Sequence, residues 1–243
     1  MKILVVENNL AAFLTAVYHA YYGHKDAEKI TSDAESVTML DYGIRIETDT
    51  ALAAKVREGI MKKAGKTAYK EIADAYLSGD KNKEQKLFDY LKLLFAQGKK
   101  ALTLFSHSTV IAFRDMLNKV RREAHRMKGF IRFAQTENGV YYAFFGPDND
   151  ILELLLPHFR IRFNDQKFVL HDLKRKKMAY YDGDKSYTFT APPRFTVALS
   201  EDQLKFAELW REYFNNVSIE ERHNPVLQRH YAPKKYRWFM NEF

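Results

Sequence analysis

Apolar residues change their period several times along this chain, and each change marks an element. KILVVE, residues 2–7, is a short apolar run that reads as a buried strand. After Asn8 and Asn9 the positions Leu10, Phe13, Leu14, Val17 and Tyr21 recur at helical spacing until Gly23. VTMLDYGIRIETD, residues 37–49, alternates apolar and polar residues through Ile44 and Ile46, which predicts a strand. Thr48 or Asp49 then stands where a cap is needed for a helix over 51–63. TAYKEIADAYLSGD and KEQKLFDYLKLLFAQG each carry an apolar stripe with a Gly near its end. The first part is therefore expected to be mostly helical after a strand–helix–strand start.

From Ser106 the pattern lengthens. Phe113, Leu117, Val120, Ala124 and Met127 step by four and three residues along one helical face, which should meet the core, and Gly129 should end the helix. GFIRFAQ and VYYAFF flank TENG, whose Asn138–Gly139 pair suits a hairpin turn. NDILELLLPHF predicts another helix, and KFVLHD, KMAYYDG and SYTFTAP predict short strands before a capped helix at SEDQ, residues 200–203. Runs of both element types without regular alternation predict an α+β fold: a helix-rich part over residues 1–105, and over 106–243 an antiparallel ββαβ-type sheet flanked by helices. There is no repeat and no low-complexity linker.

Composition narrows the function classes. With 243 residues the chain can bury a sizeable core, and 46% hydrophobic with 29% charged residues is a globular balance. No apolar run approaches the roughly 20 residues of a membrane span, and Glu7 and Asn8 interrupt the start too early for a secretory signal, so a cytoplasmic protein is expected, with no membrane partner. The chain has no cysteine, which removes disulfides, thiolate zinc sites, cysteine nucleophiles and cysteine-held iron–sulfur clusters. Neither a cofactor nor a metal is expected. The net charge is +8; residues 1–98 hold 14 Lys/Arg and 14 Asp/Glu, and residues 99–243 hold 25 and 17. On that division the whole excess falls in the second part, and polyanions become the first candidate partners.

Two clusters concentrate the charge. In VRREAHRMKGFIRF, residues 120–133, the basic residues Arg121, Arg122, Arg126, Lys128 and Arg132 surround His125 against one acid, Glu123. On a helix, 121, 125 and 128 form one ridge and 122 and 126 the next, both away from the apolar stripe. A solvated helix face would usually mix signs; this one suits phosphate contact, for which the planar guanidinium is well shaped. Like charges beside His125 favour its neutral form. The second cluster is SIEERHNPVLQRHYAPKKYRWF, residues 218–239. Ser218 with Glu221 forms a capping-box pattern, and Asn224 before Pro225 suits a helix start. Capping leaves unexplained Arg222, His223, Gln228, Arg229, His230, Lys234, Lys235 and Arg237, interleaved with Tyr231, Tyr236, Trp238 and Phe239. Cations that grip a backbone beside aromatic faces that stack on bases fit single-stranded or distorted nucleic acid. The competing account docks the aromatics of a C-terminal helix into the core.

These segments also carry a resemblance. EAHRMKGFIRF, YYAFFGPDNDILELLLPHFRIRF, VLHD with MAYYDG, LWREYF and IEERHNPVLQRHYAPKKY resemble, in order and over nearly the full length, the motifs of a bacterial family known only as "probable DNA metabolism proteins". The motif-matched polar or backbone positions are Glu123, His125, Arg126, Gly129, Arg132, Arg222, Asn224, Pro225 and Gln228. KKYRWF departs from the pattern, with Arg237 where a Trp is expected directly after the Tyr. The resemblance implies a gene neighbour of the radical-SAM class acting in DNA modification or repair, and in some bacteria fusion to a uracil-DNA glycosylase-superfamily domain. It implies no catalytic residue.

The expectation is therefore a DNA-associated accessory module in DNA repair or modification, which positions nucleic acid, DNA ahead of RNA, for a radical-SAM partner. Its contacts are expected from Arg121, Arg122, His125, Arg126, Lys128, Arg132, Arg222, Asn224, Gln228, Arg229, Lys234, Lys235 and Arg237. One alternative is a DNA-acting hydrolase or glycosylase using Glu123, His125, His223 or His230, with Glu220, Glu221 or Asp172 as a further carboxylate. The sequence shows no HExxH, Walker loop or GxSxG to support it. A second alternative is a protein-interaction scaffold whose basic face meets an acidic partner.

Overall fold

Side-chain caps at Asn9 and Asp49 start the helices that organise the first half of the chain. Asn9 Oδ1 accepts the Ala12 N–H at 2.8 Å, and Asp49 Oδ1 accepts those of Ala51 and Leu52 at 2.8 and 3.1 Å. In the computed structural model, which describes residues 1–192, 196–217 and 224–240, the chain divides into two compact units, Met1–Arg121 and Arg122–Phe243.

The first unit opens with β1 (Lys2–Val5), which lies between β2 (Lys29–Thr31) and β3 (Tyr42–Arg45) in a parallel sheet of order β2-β1-β3. Ile3 and Leu4 of the central strand are buried. Helix α1 (Leu10–Tyr22) links β1 to β2, and α2 (Thr50–Ala64), α3 (Lys66–Tyr76) and α4 (Lys83–Gln97) complete the helical part. Thr15, fully buried on α1, donates to the Asp49 carbonyl at 3.0 Å and accepts its N–H at 3.2 Å, so the start of α2 is pinned to α1. The core closes with Tyr90 and Phe113 stacked at 3.9 Å. Strand β2 went unread in the sequence because its three residues are too few to show a period.

Helix α5 (Ser108–Phe130) buries Phe113, Leu117, Val120, Ala124 and Met127, the expected stripe. It runs one residue past Gly129. The division between units falls inside this helix, at 121/122, where the sequence reading drew it at 105/106.

The second unit is a five-stranded sheet, β4 (Ala134–Gln135), β5 (Tyr141–Phe145), β6 (Phe168–Asp172), β7 (Lys177–Tyr181) and β8 (Ser186–Thr190), in sequential order. The α+β class is thus as expected. The hairpin β4–β5 is antiparallel, and Gly139 turns it at φ +73°, a conformation that disfavours a side chain. One pair corrects the antiparallel expectation: β5 and β6 run parallel, because α6 (Leu152–Arg162) carries the chain back across the sheet between them. The remaining pairs are antiparallel. Leu152, Leu155 and Phe159 of α6 are buried, as are Phe145, Phe168 and Leu170 of the sheet. Helices α7 (Glu201–Val217), α8 (Pro225–Tyr231) and α9 (Lys234–Arg237) follow. Among the described residues no helix is long and apolar enough to cross a membrane.

Candidate nucleic-acid interface

Neighbouring arginines on α5 have different surroundings. Arg121 belongs to the first unit, where its guanidinium donates to Asp74 at 2.9 and 3.2 Å and to Glu71 at 3.4 Å. Arg122, His125 and Arg126 belong to the second and are exposed; among the described residues none of them makes a hydrogen bond or ion pair. Arg132 turns back onto its own helix end, donating to the Gly129 carbonyl at 2.6 Å.

Glu123, the single acid of this stretch, is buried, with 6% of its surface exposed. Its Oε1 accepts the Asp148 N–H at 2.7 Å and the Tyr236 hydroxyl, and its Oε2 accepts the N–H and the side-chain amide of Asn149 at 2.8 and 2.6 Å. A carboxylate offers about four acceptor positions, and four donors occupy them. Burial, and then the bond to Glu123, push the Tyr236 phenol well above its ordinary range. One carboxylate thus fastens the loop after β5 and helix α9 to α5, which brings Arg126 of the first cluster beside the Tyr236 end of the second. As a catalytic acid or base it has no free position.

The C-terminal cluster divides between architecture and surface. Asn224 Oδ1 caps the Leu227 N–H at 3.0 Å with Pro225 at the first helical position, as expected. The residues Ser218, Glu220, Glu221, Arg222 and His223 lie outside the described residues. Arg229 donates to the Pro225 carbonyl at 3.0 Å and Arg237 to the Ala232 carbonyl at 2.9 Å, and both therefore stiffen their own segment. Lys235 pairs with Asp148, whose other oxygen takes Lys174 at 2.7 Å; these two bonds hold the Asp148 carboxyl below its usual range. Lys234 and His230 are exposed, and Gln228 is half-buried. Of the four aromatics, Tyr236 and Phe239 are buried and Tyr231 and Trp238 are exposed. Phe239 packs so closely on the loop after β5 that a Cβ at Gly146 would lie 3.1 Å from its ring.

Beyond the expected residues, a cleft of about 680 Å³ opens between the end of α5, α6, the start of β5 and α7. Lys128, Arg132 and Arg162 line it, together with Phe133, Tyr141, Phe163, Phe206 and Trp210. His158 lies near two of these cations: burial, then Lys128 and Arg162, lower its pKa. Sequence reading found Lys128 and Arg132 but missed Arg162, Phe206 and Trp210. The last two fall on an amphipathic helix and look like core residues, yet Phe206 is 62% exposed and Trp210 36%.

Asp172, considered as a catalytic carboxylate, is fully buried and closes the turn after β6. It accepts the N–H of Lys174 and of Arg175 at 3.0 and 3.2 Å and pairs with the Arg175 guanidinium at 3.0 Å. Burial pushes its pKa up, against the pull of Arg175. Its neighbour His171 bonds Tyr142 at 2.7 Å, and burial lowers its pKa. Among the described residues no three His, Asp or Glu side chains gather as a metal site would need.

A family model described as a domain of unknown function, DUF4130, matches residues 81–242, two thirds of the chain. The chain belongs to that family. The DUF4130 match takes in all of the second unit up to residue 242, including α5 from its first residue, Glu123, the cleft and the C-terminal cluster. No curated protein and no solved structure matches the chain.

Proposed function

We propose that the second unit is a DNA-holding module in DNA repair or modification, and that it positions nucleic acid for a partner enzyme of the radical-SAM class. The observation that carries this reading is the saturated Glu123, which joins the exposed Arg122 and Arg126 of α5 to the basic segment around α9 through Tyr236. Phosphate contacts from such a surface would set register and orientation without reading sequence. The radical-SAM partner comes from the motif resemblance alone, and a chain without cysteine needs another protein to hold an iron–sulfur cluster. The hydrolase alternative is weakened, because Glu123 and Asp172 are both engaged in holding loops.

Anisotropy of labelled single-stranded and duplex DNA, titrated with the purified chain over a range of salt, tests the reading. Binding that weakens as salt rises, on many sequences alike, is the expected result. Absence of salt-dependent binding to any DNA would remove it. The partner is tested separately, by whether the chain raises DNA turnover by a radical-SAM enzyme of the class that the resemblance implies.

A further inference from the structure

The cleft between α5, α6 and α7 combines three properties. Its volume of about 680 Å³ is in the range of small-molecule sites, roughly 300 to 1,000 Å³. Its walls are aromatic and leave large rings in solvent: Phe206 and Trp210 on α7 line it together with Phe163 and Tyr141. Its lining is cationic, and among the described residues Lys128 and Arg162 have no acid paired with them.

We infer that this cleft receives one unpaired nucleotide of a DNA strand, with its base against Trp210 and Phe206 and its phosphate at Lys128 and Arg162. The inference rests on the DNA-holding reading and narrows it to single-stranded or locally opened DNA. A base inside a duplex has both faces stacked on its neighbours and cannot meet an aromatic wall, whereas an extruded or unpaired base offers a π-face and a hydrogen-bonding edge. Polar groups for such an edge are present. The Gln203 carbonyl oxygen already accepts the Gln135 N–H at 3.1 Å, which leaves its amide NH₂ to donate, and Asp202 supplies an acceptor. Among the described lining residues Asp202 is the one acid, against Lys128 and Arg162, which have no acid paired with them, so the local field still favours an anion. An apolar peptide would cover the rings but leave Lys128 and Arg162 without an anion. Burial lowers the His158 pKa first, and Lys128 and Arg162 lower it further, so both cations act on this side of the cleft.

The chain has two tryptophans, so Trp238→Phe leaves Trp210 as the sole indole while keeping an aromatic ring against Phe239. With this variant as the reporter, a single-stranded oligonucleotide should quench Trp210 emission in step with binding measured by anisotropy. In the wild-type background Trp210→Ala should weaken single-strand binding by about ten-fold, the order expected for one stacked base, with the far-UV spectrum unchanged. A duplex carrying one bulged base should bind more tightly than the intact duplex. DNA binding without quenching, and unaffected by Trp210→Ala, would overturn the cleft inference and leave the DNA-holding reading standing. No binding to any DNA would remove both. Self-association abolished by Trp210→Ala in sedimentation would make the cleft a contact between copies and would also overturn it.

Discussion

The two units carry the same net charge and differ in what stands beside it. Residues 1–121 hold 19 Lys/Arg against 15 Asp/Glu and residues 122–243 hold 20 against 16, an excess of four in each. Several cations of the first unit rest on acids or rings: Lys2 on Asp26, Lys86 on Asp80, Arg121 on Asp74 and Glu71, Lys83 over Tyr76. In the second unit the acids Asp148, Asp150 and Asp172 draw in Lys174, Lys177, Arg175 and Lys235, while Arg122, Arg126, Lys128 and Arg162 keep none among the described residues. The asymmetry read from sequence arose from dividing the chain at residue 98. Residues 99–121, with five cations and one acid, belong to the first unit. Net charge per segment is therefore a weak guide; what the second unit adds is a cleft that sets Lys128 and Arg162, neither paired with an acid among the described residues, beside exposed aromatic rings.

The strongest way to break the comparison is at the carboxylate that builds the second surface. Glu123→Ala leaves two backbone N–H groups, an amide and a phenol without their acceptor, and should cost about 3 kcal/mol in chemical denaturation, since each orphaned buried donor costs roughly 1 to 3 kcal/mol. Tyr236→Phe loses one of those bonds and should cost about 1 kcal/mol. If Glu123→Ala left stability unchanged, the fastening role would be wrong. Gly146→Ala sharpens the point without touching charge: the new methyl meets the Phe239 ring, and overpacking of about 1 to 3 kcal/mol should loosen α9 and weaken DNA binding together.

A smaller effect separates the neighbouring arginines. Arg122→Ala and Arg126→Ala should each lower the slope of log affinity against log salt by about 0.7 on single strands, for the loss of one phosphate contact. Arg121→Ala should leave that slope alone and cost stability instead, by no more than about 1 kcal/mol for a part-exposed pair. Equal slopes for all three would show that the boundary inside α5 has no bearing on binding.

The smallest predicted effect is on pH dependence. His158 and His171 have folded pKa values below the unfolded value of about 6.5, so each contributes stability above that pH which is lost as pH falls through its folded value. Denaturation midpoints should therefore drop below about pH 6.5, and His171→Gln should flatten part of the drop. A midpoint that rose on acidification would contradict the sign.

Much of this was legible from periodicity. The stripe from Phe113 to Met127, the hairpin at Gly139, the helix over NDILELLLPHF and the cap at Asn224 all follow from local chemistry, and the structure has each of them. The division of the C-terminal aromatics into Tyr236 and Phe239 inside, Tyr231 and Trp238 outside, could be anticipated as a choice but not assigned, because it depends on what α9 packs against. Glu123 misled most. An isolated acid among arginines looks like a titrating group, and its real partners lie 25 and 113 residues away. The cleft was unreadable for the same reason: Arg162, Phe206 and Trp210 come from two helices whose separate patterns each describe an ordinary amphipathic face.

The Glu123–Tyr236 bond also sets an order of events. Closing a span of 113 residues costs chain entropy that local helix and hairpin contacts do not, so this contact should be among the last to form in folding and among the first to open in local unfolding. The backbone amides of Asp148 and Asn149, which bond the same carboxylate across 25 and 26 residues, report on it from the local side. In hydrogen exchange they should open sooner than the centre of β6, and any ligand that grips the assembled surface should slow them first.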